Sequence, residues 1–261
     1  MLGEQIRIGL LGTLEVSHTP GISIARRSVQ ITAAKLRQVL AMLAANANTM
    51  VSTDHLIDEL WPEAPPSTVK TIVQTYVYQL RKLFGETSSS SHRTSLLTTR
   101  PGGYLLTVPR DDVDIFQFQQ LMERGRTALT HGKPDRAADL LRDALALWRG
   151  PVLADVTLGP NLHGLWVYLE EQRLEAVSLR IEADLANNRH REVVAELRRL
   201  VATHRLHESF YIRLMQALHR SGRRGEALTV YHQLRHILDQ DLGLEPSLEA
   251  QQLQQQILIS S

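Results

Sequence analysis

No cysteine occurs in the 261-residue chain, which excludes disulfides, thiolate metal sites and cysteine nucleophiles and suits a reducing cytoplasm. No apolar run approaches the ~20 residues that a bilayer span needs. The N-terminal stretch MLGEQIRIGLLGTLEV lacks the basic start and long apolar core of a signal peptide. A soluble, cytoplasmic protein with no membrane partner is therefore expected. Motifs of chemistry are missing too. There is no GxxxxGK[ST] phosphate loop, no GxGxxG after a strand, no GxSxG elbow and no HExxH helix. Of eleven histidines, His204 and His207 come closest to metal-ligand spacing, but no carboxylate or thiol cluster completes a shell and the pair straddles an expected helix break. Glu170 and Glu171 fall among arginines on an exposed helix face, as solvated ion-pair partners. No catalytic residue, cofactor or metal is expected, and the chain does not read as an enzyme.

What is present is an ordinary globular balance, 43% hydrophobic and 22% charged, in a chain long enough for two domains. The net charge of +1 says nothing by itself about nucleic acid, but its distribution is uneven. Residues 1–110 hold eleven Lys and Arg against seven Asp and Glu; the remainder holds eighteen against twenty-one.

The most telling stretch is 67–108. STVKTIVQTYVYQLRKLF predicts a helix over 67–84 with Val69, Val73, Val77, Leu80 and Phe84 on one face, flanked by Ile72, Tyr76 and Leu83. The opposite face gathers Thr71, Gln74, Thr75, Tyr78, Arg81 and Lys82, with Gln79 at its edge. Donor-rich, partly basic side chains on an outward face suit major-groove reading and phosphate contact. Taken alone, the same pattern suits any amphipathic surface helix. Its neighbours narrow the choice. TAAKLRQVLAMLAAN (32–46) is a second amphipathic helix, with Leu36, Val39, Leu40 and Leu43 inward. VSTDHLIDELW begins a third, with Ser52 as N-cap and Val51 and Leu56 spaced as a hydrophobic staple. After the helices comes SLLTTRPGGYLLTV, a hairpin whose turn is Pro101, Gly102 and Gly103 and whose strands alternate toward Leu97, Tyr104 and Leu106. Arg100 stands at the tip of this wing.

The first 31 residues predict short strands (IRIGLL, TLEV, ISI and SVQI) in a small sheet against the three helices. WPEAPPS (61–67) separates the helix begun by VSTDHLIDELW from helix 67–84, and GETSSSSHRTS (85–95), including His92 and Arg93, is a solvated loop. From Asp111 onward the chain is nearly continuous amphipathic helix, broken near Gly132, Asn188 and Gly222. The last two breaks are 34 positions apart, the tetratricopeptide period. Three imperfect helical hairpins, interrupted by the insertion WRGPVLADVTLGP and closed by a final helix after Pro246, are expected.

TVKTIVQTYVYQLRKLFG followed by RPGGYLL resembles the OmpR-type winged helix, and IRIGLLGTLEV, LWRGPVL and DLGLEPS narrow the likeness. Over nearly its whole length the chain resembles small members of the Streptomyces antibiotic regulatory protein family, which join that winged helix to a bacterial transcriptional activator domain. The expected fold is mainly α: a winged helix-turn-helix with a small sheet and a wing hairpin over 1–110, then an all-α tetratricopeptide-like domain over 111–261. The resemblance implies a transcriptional activator of a secondary-metabolite (antibiotic) gene cluster. It would bind direct repeats of double-stranded DNA as a head-to-tail homodimer and engage RNA polymerase. It also implies that the loop bearing Trp61, Glu63, Pro65 and Pro66 touches polymerase; on the residues alone, Trp61 is equally a core side chain and the prolines punctuation. Larger members append an ATPase module; none is expected here, nor a receiver domain to phosphorylate.

In such a docking, helix 67–84 enters the major groove. Thr71, Thr75, Tyr78 and Gln79 are the candidates for base or near-base contact. Lys70, Arg81 and Lys82 hold phosphates, and Arg100 reaches the minor groove or clamps phosphate. Two alternatives stay open: a helical-repeat adaptor whose winged helix binds protein, and a repressor of the same architecture.

Overall fold

In a computed structural model, residues 5–19, 27–29, 31–85 and 95–259 are described. The ISI strand and the loop over 86–94, with His92 and Arg93, lie outside the described residues. The chain divides into two compact units, 1–122 with 143–174 and 123–142 with 175–261.

The first unit opens with strands β1 (Gln5–Gly9), β2 (Glu15–Thr19) and β3 (Arg27–Val29), antiparallel in that order. Ile6, Ile8 and Val16 alternate into the core, and Leu10 and Leu11 are wholly buried. The insertion WRGPVLAD is bound here. Arg149 N–H donates to the Leu11 carbonyl at 2.8 Å, Leu153 N–H to that of Leu10 at 3.1 Å, and Leu14 N–H to the Asp155 carboxylate at 2.8 Å. Asp114, at the start of a later helix, accepts from the N–H groups of Leu10 and Leu11 at 2.8 and 3.0 Å. These bonds are why 143–174 groups with the N-terminal residues.

Helices α1 (Ala34–Ala45), α2 (Thr53–Leu60) and α3 (Val69–Leu83) follow, with strand β4 (Met50–Ser52) before α2. Ser52 does cap α2, its hydroxyl accepting from His55 N–H at 3.1 Å, while Val51 and Leu56 are buried on either side. The third helix starts two residues later than its periodicity predicts, because Ser67 and Thr68 form a turn, and ends one earlier, with Phe84 as its C-cap. Strands β5 (Leu97–Arg100) and β6 (Gly103–Leu106) make the wing, and β4 pairs with β6 to give a sheet of order β4-β6-β5. Strand β4 was not expected from sequence; three residues are too few for periodicity to register.

Helices α4 (Asp114–Thr130), α5 (Pro134–Ala146), α6 (Pro160–Ala186), α7 (His190–Thr203), α8 (Glu208–Arg220), α9 (Arg224–Leu242) and α10 (Leu248–Ile259) complete the chain. Three hairpins, α4–α5, α6–α7 and α8–α9, turn in the same way. Gly132, Asn188 and Gly222 adopt left-handed φ of +66°, +60° and +77°. At each turn the N–H one residue on (Lys133, Arg189, Arg223) returns to a carbonyl five residues back, at 2.9 Å. This six-to-one bond closes a helix end and needs a residue that tolerates positive φ, which glycine and asparagine do. In the second unit Asp184 is buried among Arg142, Arg180 and Arg189. His204 and His207, not expected to bind metal, both lie against Phe210: His207 stacks on it with ring centres 4.4 Å apart and His204 is tilted at 5.9 Å.

Candidate nucleic-acid interface

Helix α3 is positioned by its apolar face. Val73, Val77, Leu80 and, just past its end, Phe84 are buried against α1, α2 and the wing, while Val69 is only half-buried. That seating leaves Lys70, Thr71, Gln74, Thr75, Tyr78, Gln79 and Lys82 exposed, Tyr78 by 67%. Thr71, Thr75, Tyr78 and Lys82 follow one another at one-turn spacing, a row about 16 Å long at ~1.5 Å per residue. The Thr75 hydroxyl donates to the Thr71 carbonyl at 2.9 Å. Its proton is thereby committed, and it can offer a partner only its lone pairs and its methyl group.

Arg81 stands apart from that row. Its Nε donates to the Leu97 carbonyl at 2.9 Å and its Nη2 to the Thr99 hydroxyl at 2.8 Å. The half-buried guanidinium thus ties α3 to strand β5. This bridge was not expected for Arg81, which shares the phosphate expectation with Lys70 and Lys82; outward spacing on a helical wheel does not show a strand folded back beside the helix. Tyr104 lies near enough to feel the Arg81 charge, which works against the upward pull of burial on its phenol pKa.

The wing turn is as expected at Gly102, with φ +82°, whereas Gly103 belongs to β6. Thr53 N–H donates to the Gly102 carbonyl at 2.9 Å, fastening the turn to the start of α2. Gly103 lies so close to β4 that a Cβ there would run into the Val51 carbonyl. Arg100, the last residue of β5, is exposed.

The loop between α2 and α3 presents Glu63 and Pro65 to solvent, with Trp61 and Pro66 half-buried. Lys35 sits 4.5 Å over the centre of the Trp61 ring and donates to the Leu60 carbonyl. The Pro66 carbonyl accepts from Val69 N–H at 3.0 Å and so closes the turn into α3.

One residue that sequence reasoning missed holds this assembly in place. Glu59, on α2, is 1% exposed. Its carboxylate accepts from the N–H groups of Gly159, Asn161 and Leu162 at 2.6, 2.8 and 3.2 Å. Helix α6 begins Pro-Asn, and Gly159 before it has no side chain to cap with; an anion from elsewhere in the chain satisfies it. The only sequence signal was that missing cap.

A three-helix, winged unit with a polar recognition face defines a DNA-binding transcriptional regulator of the helix-turn-helix class. Family models agree on both parts of the chain: "Transcriptional regulatory protein, C terminal" matches residues 27–106 and "Bacterial transcriptional activator domain" matches 113–258. Regulatory protein DnrI of Streptomyces peucetius is 40% identical over 97% of this chain and 92% of its own. Transcriptional regulator RedD of Streptomyces coelicolor is 36% identical over 94% of this chain and 68% of its own. The solved structure of Mycobacterium tuberculosis EmbR, in complex with a low affinity phosphopeptide, superposes with a TM-score of 0.89 at 32% identity, over 98% of this chain and 65% of that one. The chain belongs to the Streptomyces antibiotic regulatory protein family and is a DNA-binding transcriptional activator. Among the described residues no helix is long and apolar enough to cross a membrane.

Proposed function

We propose that two copies of the chain bind head-to-tail on direct repeats about one helical turn apart, upstream of a secondary-metabolite gene cluster, and recruit RNA polymerase there. The observation that carries this reading is the exposed row Thr71, Thr75, Tyr78 and Lys82 on α3, running beside a wing that ends in exposed Arg100. Thr71, Thr75, Tyr78 and Gln79 meet base edges, Lys70 and Lys82 meet phosphates, and Arg100 contacts the adjacent groove or backbone. Arg81 acts first as the strut between helix and wing, and its remaining donors face the backbone. The loop with Trp61, Glu63, Pro65 and Pro66 is the polymerase contact, supported by the exposure of Glu63 and Pro65.

The functional division falls at 110/111, a winged-helix DNA-binding domain over 1–110 and a bacterial transcriptional activator domain over 111–261. Support for it comes from the limits of the two matched family models. The protein acts in the cytoplasm on the nucleoid, as a regulator and not an enzyme, without a cofactor; its relatives bear regulators' names.

Selection of bound duplexes from a random DNA library by the purified chain tests this directly. Two same-orientation half-sites about one turn apart are expected. An inverted repeat would overturn the head-to-tail arrangement while keeping DNA reading. No enriched site, with only weak salt-sensitive binding, would replace this reading with a helical-repeat adaptor. Run-off transcription from the selected site then separates activation from repression.

A further inference from the structure

A cavity of about 490 Å³ opens in the second unit between the last turn of α6, the second half of α8 and one face of α10. That size matches sites for small molecules, which run to roughly 300–1,000 Å³. Leu185, Ala186 and Leu253 give it apolar wall, Gln216 and Gln256 bring amides, and His219 and Arg220 bring basic groups. No carboxylate lines it.

The acids close by are already engaged: Glu182 pairs with Arg213, and Asp184 with Arg142, Arg180 and Arg189. Helix α10 carries a single acid, Glu249, in its first turn. Arg223, three residues beyond Arg220, is bound to Glu226. Arg220 itself is exposed and has no carboxylate partner among the described residues. Its charge reaches His190, where it adds to the effect of burial in lowering that ring's pKa. His219 Nδ1 is enclosed and lacks a hydrogen-bond partner, as do Ser221 Oγ two residues on and His190 Nδ1 at the start of α7. An uncompensated cation, two side-chain amides and an apolar wall in one concavity describe a receptor for an anion with an apolar body.

We propose that the α6–α8–α10 cavity binds a small organic anion, a carboxylate or phosphate ester. Its charge sits between Arg220 and His219 and its body lies against Leu185, Ala186 and Leu253. Because the walls come from three helices, the ligand fastens α10 to α6 and α8 and gives the activator domain a chemical input separate from DNA.

Titration of the isotope-labelled full chain with phenylacetate, phenyl phosphate and neutral phenylacetamide, followed by NMR, tests this. At least one anion is expected to shift the Gln216, His219 and Leu253 signals saturably. The amide should bind about ten- to a hundredfold more weakly, the usual weight of a charge-assisted hydrogen bond. Arg220→Gln should reduce anion affinity to that of the amide while leaving the thermal midpoint and the amide's own binding unchanged. Preference for phenyl phosphate identifies phosphate esters as the ligand class, and preference for phenylacetate identifies organic acids. The proposal is overturned if no probe shifts these signals saturably, if the amide binds as tightly as the anions, or if Arg220→Gln binds them like the parent protein.

Discussion

Glu59 reaches across one hundred and two positions of sequence to cap a helix, its carboxylate accepting from Asn161 N–H at 2.8 Å. Gly159 permits the approach, since a Cβ there would strike the Glu59 backbone and carboxyl group. The recognition helix-turn-helix is thus tied through α2 to the first turn of α6. Glu59→Ala leaves the Asn161 and Leu162 N–H groups without an acceptor and should cost about 1–3 kcal/mol of stability. Glu59→Gln, which keeps one acceptor oxygen, should cost less. Urea unfolding gives the energies, and hydrogen exchange at residues 161 and 162 shows whether the loss is local. Unchanged protection in Glu59→Ala would deny the capping role.

Arg81 offers a sharper separation of structure from DNA contact. Removing it loosens the wing from α3, since the Leu97 carbonyl and the Thr99 hydroxyl both lose the guanidinium that ties them to the helix. Arg81→Ala is expected to raise wing mobility in the DNA-free protein, measurable as faster hydrogen exchange in β5, and to weaken binding to all sequences alike. Arg81→Lys should rescue little, because one ammonium group cannot reproduce a guanidinium's divergent donors. Lys82→Ala should leave the wing as it is and reduce the slope of log K against log salt by roughly 0.9. If both variants behaved as Lys82→Ala does, the strut would be of no consequence.

Gly103 shows what close backbone packing demands. Gly102→Ala meets only the positive φ of an exposed turn and should cost about 1 kcal/mol. Gly103→Ala must push β6 off the Val51 carbonyl and should cost about 1–3 kcal/mol. Thermal melts of the two variants decide the order. A milder Gly103→Ala would mean that β4 yields easily.

These positions mark where sequence reading succeeds and where it stops. The buried face of α3, the Ser52 cap, the Leu97–Tyr104–Leu106 alternation and the three hairpin turns were legible because each is set by residues within a turn or two of one another. Gly103 was legible as a glycine needed at the wing, but for the wrong cause: the turn needs Gly102, and Gly103 answers to strand β4, where it pairs with Ser52. Glu59, Arg81 and the docking of 149–155 on Leu10 to Leu14 depend on partners brought close only by the fold. No periodicity within a single chain segment encodes them.

Base reading by Thr75 is constrained by its own hydrogen bond. With its proton given to the Thr71 carbonyl, the side chain can accept from an adenine or cytosine amino group or pack its methyl against that of thymine. It cannot donate to a guanine. Thr75→Ala is therefore expected to relax preference at one base pair per half-site, by about 1–3 kcal/mol, with little change elsewhere in the site. Repeating the duplex selection with this variant reads the outcome. Loss of a guanine preference, or uniform weakening across the site, would contradict this geometry.

His190 gives the second unit a predictable response to acid. Burial, and after it the Arg220 charge, hold its pKa below the ordinary 6.5. Between that value and the lower folded one, the unfolded chain binds more protons than the folded chain. Stability is thus complete above 6.5 and falls as the pH drops through the folded pKa. Asp114, in the other unit, acts with opposite sign. Burial raises its pKa against the pull of the Leu10 and Leu11 N–H groups and Arg149, so its contribution is present at low pH and lost as the pH rises through the folded value. A global melt would mix the two, and the measurement must be local. Hydrogen exchange in α8 should accelerate in the parent protein from about pH 7 to about pH 5, once corrected for the intrinsic pH dependence, and the acceleration should be smaller in His190→Gln. Parallel acceleration in both proteins would place the acid sensitivity of this unit elsewhere.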